Sequence, residues 1–404
     1  MSDKYNSSEI IRFKLKPKDW LIKNFVDVAT LQRGKDLPLD IRSPGSYPVI
    51  GSNGVAGYHS EFVSKGPGVL VGRSGSVGKV TFIETNFWPL NTTLWVRDFH
   101  ENDPTFIYYF LSHFDFARYS AGVSVPTLNR NLVHPIKVCI PPLPEQRAIA
   151  RALRAVQGAR EARLHEVALE KERKAALMEH LFTKGTRGEA TKQTEIGEMP
   201  GSWDSIQLES VCIKIVDCPH STPHFSSQGF LVARNFNIRC GKLDLTSSFF
   251  TIEDEYNERI KRCKPIEGDI LFSREAPVGE ACLIPPNIEL CLGQRMMLLR
   301  VDPLIMNNFF LVQTFYTKSI RSIMTANSSG VTAKHLNVAD VKQLKIPYPS
   351  IEEQNYISTI LDSCDSRIAA LEHEARLHDE LFRAMLEELM SGRLPAGALV
   401  EEPA

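Results

Sequence analysis

Two stretches of the chain carry apolar residues at alternating spacings of four and three, the pattern of a helix that buries a narrow stripe against another helix. In the later stretch the stripe is Ile357, Leu361, Cys364, Ile368, Leu371, Ala375, His378, Phe382, Met385 and Leu389, and only His378 is not apolar. The equivalent positions of the earlier stretch are Ile149, Leu153, Val156, Arg160, Arg163, Val167, Glu170, Lys174, Leu177 and Leu181, apolar at both ends and polar in the middle. Both stretches follow a proline cluster. Ser350 with Glu353 reads as a capping box, while Pro144, Glu145 and Gln146 supply a proline and an acid to the first turn of the other. Gly158 weakens the first helix by about 1 kcal/mol. Some forty residues at 1.5 Å each span roughly 60 Å, longer than a globular domain needs. Such helices separate things or bind other helices. One reading is a homodimeric coiled coil; two seams in one chain, with a globular segment between them, favour mutual antiparallel pairing. The pairing residues are then Ile149, Leu153, Val156, Leu177 and Leu181 against Ile357, Leu361, Ile368, Leu371, Phe382, Met385 and Leu389.

Outside the helices the pattern shortens to β-type runs broken by Gly, Pro and Asn. Examples are YPVIGSNGVAGYH, GVLVGRSGSVGKVTFI and NTTLWVRD early in the chain, and GFLVARNFNI, GDILFSREAPVGEACLI and QRMMLLRVD later. Helical segments are predicted around Thr105–Phe116 and Pro303–Met324, so the class is α+β.

The two halves repeat each other. A shift of 208 aligns Gly122 to Ile149 with Gly330 to Ile357 without gaps, matching Leu128 with Leu336, Asn129 with Asn337, Pro141 with Pro349 and Gln146 with Gln354. Upstream the offset drifts, to 183 for Trp20/Trp203 and 201 for Arg73/Arg274 and Gly78/Gly279. The chain is two copies of one unit, each running from a Trp-led start through a strand-rich part into a long helix. The expected segments are residues 1–143, 144–185, 186–349 and 350–392, with 393–404 as a tail.

With 404 residues and ordinary globular composition, the chain has room for two or three domains. No apolar run approaches a membrane span, and the first residues lack a signal-peptide pattern, so a cytoplasmic protein is expected. The eight cysteines have no paired spacing and read as thiols, mostly small core residues. The net charge of −1 hides a division. Residues 1–140 carry 16 basic and 12 acidic groups, 141–190 carry 10 and 7, 191–346 carry 17 and 17, and 347–404 carry 4 and 12. A mildly basic body precedes an acidic tail segment, and only the body suits phosphate.

Two non-identical globular copies, each followed by a long helix opened by IPPLPEQ or IPYPSIEEQ, closely resemble the specificity subunit of a Type I restriction-modification enzyme. The likeness covers essentially the whole chain: the helix ends LMEHLFTKG and MLEELMSGRLP fall in register, and GPGVLVGRSGSVGK and GDILFSREAPVGE look like the family's recurring strand and turn. VDCPHSTPHF looks like an early turn of such domains; its counterpart LQRGKDLP departs from it, as fits two domains that read different bases. The resemblance implies two target recognition domains related by an approximate two-fold around the antiparallel helix pair, each reading half of a split double-stranded DNA site. It implies that the helices set the spacer and dock methyltransferase (M) subunits, two in number, which carry S-adenosylmethionine. Motor endonuclease (R) subunits using ATP and Mg would join through them. This chain itself would bind no cofactor and catalyse nothing. A protein-binding scaffold with duplicated domains is the alternative from another class.

The residues carry no rival chemistry. GRSGSVGKV at Gly72–Val80 lacks the first glycine and the Mg-binding hydroxyl of a phosphate loop, and Lys79 is replaced by Glu280 in the other copy. Cys212, Cys218, His220 and His224 have no zinc spacing, and no metal site is expected. Major-groove reading needs forked donors and amides, with Lys and hydroxyls on phosphate. The first copy offers Arg33, Lys35, Ser52, Asn53, Arg73, Ser74, Lys79, Thr127, Asn129 and Arg130. The second offers His220, Ser221, His224, Arg234, Asn235, Asn237, Arg239, Arg274, Lys334 and His335. Arg73 and Arg274 occupy one place in both copies, which suits phosphate positioning or structure better than base reading. Leu164, Ala168, Met178, Ile360, Leu377, Leu381, Leu386 and Met390 form a possible second stripe for a partner.

Overall fold

The computed structural model describes residues 17–121, 126–275, 277–328 and 335–396. It divides into two compact units: one takes the chain through His165 together with residues from Glu372 onward, and the other is Glu166–Leu371. The divide falls inside both long helices rather than at their starts, so each unit combines one globular part with half of each helix.

In the first unit an antiparallel sheet runs in the order Thr30–Arg33, Thr93–Asp98, Gly68–Gly72, Val80–Ile83. A three-stranded sheet follows the order Gly54–His59, Tyr47–Gly51, Trp88–Pro89, its last pair parallel. The sequence GVLVG is buried at all five positions because both faces of its strand are covered. Val69 and Val71 pack with Phe106 and Ile107, while Leu70 packs with Ile50, Phe87 and Trp95. Period-two alternation thus divides one apolar run between two clusters. Helix α1 (Pro104–His113) starts at Asp103, whose side chain accepts the Phe106 N–H at 2.9 Å, with proline in the first turn. The short α2 (Arg130–Val133) precedes α3 (Leu143–Lys184).

The second unit repeats this plan: Cys212–Asp217, Met296–Val301, Ile270–Ser273, Ala281–Leu283 in the first sheet and Phe250–Thr251, Phe230–Ala233, Leu290–Leu292 in the second, again with one parallel pair. Ile270 and Phe272 join one core cluster and Leu271 the other. Its helices are α4 (Glu253–Ile260), α5 (Asn308–Phe315), α6 (Lys318–Asn327), α7 (Val338–Gln343) and α8 (Ile351–Met390). The helical segment predicted around Pro303–Met324 consists of two helices, α5 and α6, separated at Tyr316 and Thr317.

Within each unit the halves of α3 and α8 pack antiparallel. In the first, Ile149 and Leu153 share a core with Leu389, Phe382 and Met385, and Val156 is half-buried. In the second, Leu181 packs with Ile357 and Leu361, with Leu177 beside them, and Val167 packs with Ile368 and Leu371. The polar middle of the α3 stripe meets opposite charge. Arg160 lies 3.0 Å from Asp379, Glu170 2.9 Å from Arg367, and Lys174 2.6 Å from Asp365. Among the described residues, no helix is long and apolar enough to cross a membrane.

Candidate nucleic-acid interface

Each unit closes its main sheet with the same tight turn. Gly72 N–H donates to Lys79 O at 2.8 Å and Gly78 N–H to Gly72 O at 2.9 Å; Ser273 to Glu280 and Gly279 to Ser273 repeat both distances. Gly78 and Gly279 have φ of 83° and 79°, left-handed values that favour glycine. Arg73 and Arg274 follow the turn's first residue, and their carbonyls accept the N–H groups of Leu128 and Leu336. This pairing is kept in both units although the intervening segment differs in length, the offset between copies moving from 201 at the turn to 208 before the long helix.

In the first unit the turn gathers much of the expected set. Lys79 Nζ donates to Asn53 O at 2.7 Å, the Ser76 hydroxyl donates to the Asn53 side chain, and Ser74 pairs with Thr127. Ser52 lies beside Gly75. Partial burial, and then the nearby Arg33, lower the Arg73 pKa. Arg33, Lys35, Asn53 and Lys79 are exposed. The Asn129 side chain accepts Asn131 N–H to start α2, and Arg130 reaches Leu31 O at 3.4 Å.

In the second unit the same positions carry other charges. Strand register makes Asp217 the counterpart of Arg33, since Arg33 faces Leu94 next to the Gly72–Thr93 pair, and Asp217 faces Met297 next to Ser273–Met296. Arg274 is consequently drawn inward: its Nε lies 3.1 Å from Asp217 Oδ1, with both side chains largely buried. Its Nη1 donates to Leu336 O at 3.0 Å. Of the two places expected for Arg274, phosphate positioning or structure, these contacts favour the structural one. Asn237, expected to face DNA, is corrected: it is 1% exposed, its side-chain Oδ1 accepts Arg234 N–H, and its side-chain amide donates to Asp244 O and Ser247 O. Three of the remaining expected residues belong to the turn His220–His224. His220 lies 3.5 Å from Asp217 and His224 3.0 Å from Glu255, while Ser221 is held through its carbonyl by the buried Arg259. Arg234 sits 5.0–5.5 Å from the ring centres of Phe236, Phe249 and Phe225. Asn235 begins the single-turn helix beside it, and Arg239 is exposed, 3.2 Å from Asp244. His335 pairs with Glu275, and Lys334 lies outside the described residues.

Sequence reasoning missed Arg259 and Arg295. Nothing in the local pattern of helix α4 distinguishes Arg259 from a solvated charge; only the fold brings it under Ser221 and Leu292. Cys218, once a conceivable zinc ligand, instead accepts the Arg295 N–H through Sγ, and burial, followed by the charge of Asp217, pushes its thiol up.

A duplicated α+β domain joined to paired long helices is the class of protein this geometry defines. The family described as the Type I restriction modification DNA specificity domain matches residues 17–169 and 202–378, and the chain belongs to it. A putative type I restriction enzyme specificity subunit of Methanocaldococcus jannaschii, MjaX, is 25% identical over 72% of this chain and 68% of its own length. The EcoBI specificity subunit of Escherichia coli is 24% identical over 70% and 64%. The crystal structure of an S subunit from M. genitalium has the same fold, with a TM-score of 0.62 at 16% identity over 94% of this chain and 98% of that one. A chain from work on complex assembly of the type I R-M system gives 0.51 at 18%, over 94% and 99%.

Proposed function

We propose that this chain is the DNA-recognition subunit of a Type I restriction-modification complex, in which each unit reads one half of a bipartite, asymmetric site. The observation that carries this reading is one turn architecture with exchanged charges: Arg33 against Asp217 and Lys79 against Glu280. Lys79 is exposed, whereas Glu280 is occupied by Arg321 at 2.6 Å and by the Tyr316 hydroxyl at 2.9 Å. Two domains of common fold and different surface chemistry can select different bases, so the whole site is asymmetric.

The paired helices set the interval between half-sites and dock two M subunits, through which R subunits join. Leu164, Leu377 and Leu381 remain 44–49% exposed and are the docking residues, whereas Met178, Ile360, Leu386 and Met390 turn into the cores. S-adenosylmethionine belongs to M and ATP with Mg to R; no catalytic residue is assigned to this chain. The test is selection from a random duplex library by the chain assembled with its M subunits. A split motif is expected, and enrichment of no sequence would favour the protein-binding alternative.

A further inference from the structure

We infer that Arg295 is the base-reading cation of the second unit and that it reads a guanine; this rests on the DNA-recognition reading above. Arg295 stands where the first unit has Thr92, since Arg73 N–H donates to Thr92 O and Arg274 N–H to Arg295 O. The forked cation at the sheet end is thus moved by one strand between the copies: Arg33 in the first unit, with Asp217 at its place in the second, and Arg295 in the second, with Thr92 at its place in the first. Three constraints fix Arg295. Its backbone is left-handed, φ 71°, a conformation unfavourable for a long side chain and found where function holds it. Its N–H is anchored on Cys218 Sγ at 3.1 Å. Its Nε lies 2.5 Å from Glu275 Oε2, while its side chain stays 52% exposed.

The carboxylate decides between phosphate and base. Beside a phosphate, Glu275 would repel the ligand and cancel the charge that attracts it. As a buttress it orients the guanidinium, leaving its remaining N–H donors for the paired acceptors O6 and N7 of guanine. The backbone of Glu275 is bridged to that of His335, which ties the segment carrying the carboxylate to the strand end. Neighbouring Gly293 brings the loop against Ala233 O and Arg234 Cγ, each 2.8 Å from where a Cβ would lie. No larger residue fits there without displacing the loop.

The experiment measures binding of the complete complex to duplexes in which each position of the selected motif is varied in turn. Arg295→Gly removes the side chain and suits the left-handed backbone; Arg295→Lys keeps the charge but loses the fork. Both variants are expected to lose, by roughly 5-fold or more, the discrimination against replacing one G·C pair in one half-site, with the other half-site unchanged. Unchanged discrimination at every position, equal loss at both half-sites, or full restoration by lysine would overturn the assignment. A wild-type complex that selects no motif would overturn the DNA reading itself, and this inference with it.

Discussion

The indole Nε1 of Trp203 donates to Glu353 Oε2 at 3.0 Å, joining the first residue of the second repeat to the first turn of its long helix. Trp20 and Glu145 repeat the bond at 3.1 Å in the first unit. The adjacent glutamines complete the knot. Gln354 accepts Asn307 N–H and donates to Ile305 O and Pro349 O; Gln146 accepts Asp103 N–H and donates to Asn102 and Pro141 O. Both glutamines are at most 2% exposed. The repeated Glu-Gln pair therefore fixes the entry angle of each helix to its domain.

Glu353 also accepts the N–H and hydroxyl of Thr186, both at 2.9 Å. Glu353→Ala should therefore cost about 2–3 kcal/mol, since it strands a buried indole donor and frees Thr186. Glu145→Ala should cost less. Denaturant midpoints of the two variants, compared with wild type, check the order; equal midpoints would remove Thr186 from the account.

Lys174 and Asp365 form a half-buried pair across the helices, 2.6 Å apart. Lys174→Glu sets two carboxylates together and should destabilise the second unit by about 2–4 kcal/mol. Adding Asp365→Lys should recover most of that loss. A double variant no better than the single would mean that side-chain packing, not charge, orders this seam.

His134 accepts the Leu31 N–H through Nε2 at 3.1 Å, which requires neutral imidazole. Burial, then the charge of Arg130, lowers its pKa below the ordinary 6.5. The unfolded chain takes up this proton first as pH falls, so the stability His134 contributes is complete above about pH 6.5 and lost below it. Thermal midpoints at pH 7.5 and 5.5 should differ more in wild type than in His134→Gln, which keeps an acceptor without titrating. Equal pH slopes would assign the acid sensitivity elsewhere.

Lys79 is an exposed cation on a turn whose counterpart is acidic. Lys79→Ala should weaken the complex on all sequences alike and lower the salt slope of binding by about one. A changed motif with an unchanged salt slope would make Lys79 a base reader.

The helices and the duplication were legible in the sequence because both are carried by spacing, and spacing survives in one dimension. The start of α8 shows where that reading stops. Ser350 Oγ accepts Glu353 N–H at 3.3 Å, as a capping box requires, but the Glu353 carboxylate bonds Trp203 and Thr186 rather than reaching back. A local motif could not reveal a partner 150 residues away. The candidate interface was less legible for the same reason. Arg33 and Asp217 become equivalent only through strand register, and Asn237, a plausible base reader by type, is consumed by backbone groups of its own loop.

The central claim is bipartite recognition by two unlike units, and it is tested most directly by single-molecule methylation sequencing of DNA from cells expressing the chain with its M subunits. The account predicts one methylated motif made of two short, different half-sites around a gap of fixed length and no sequence preference. A continuous motif, identical half-sites, or no motif from a complex that assembles would contradict it.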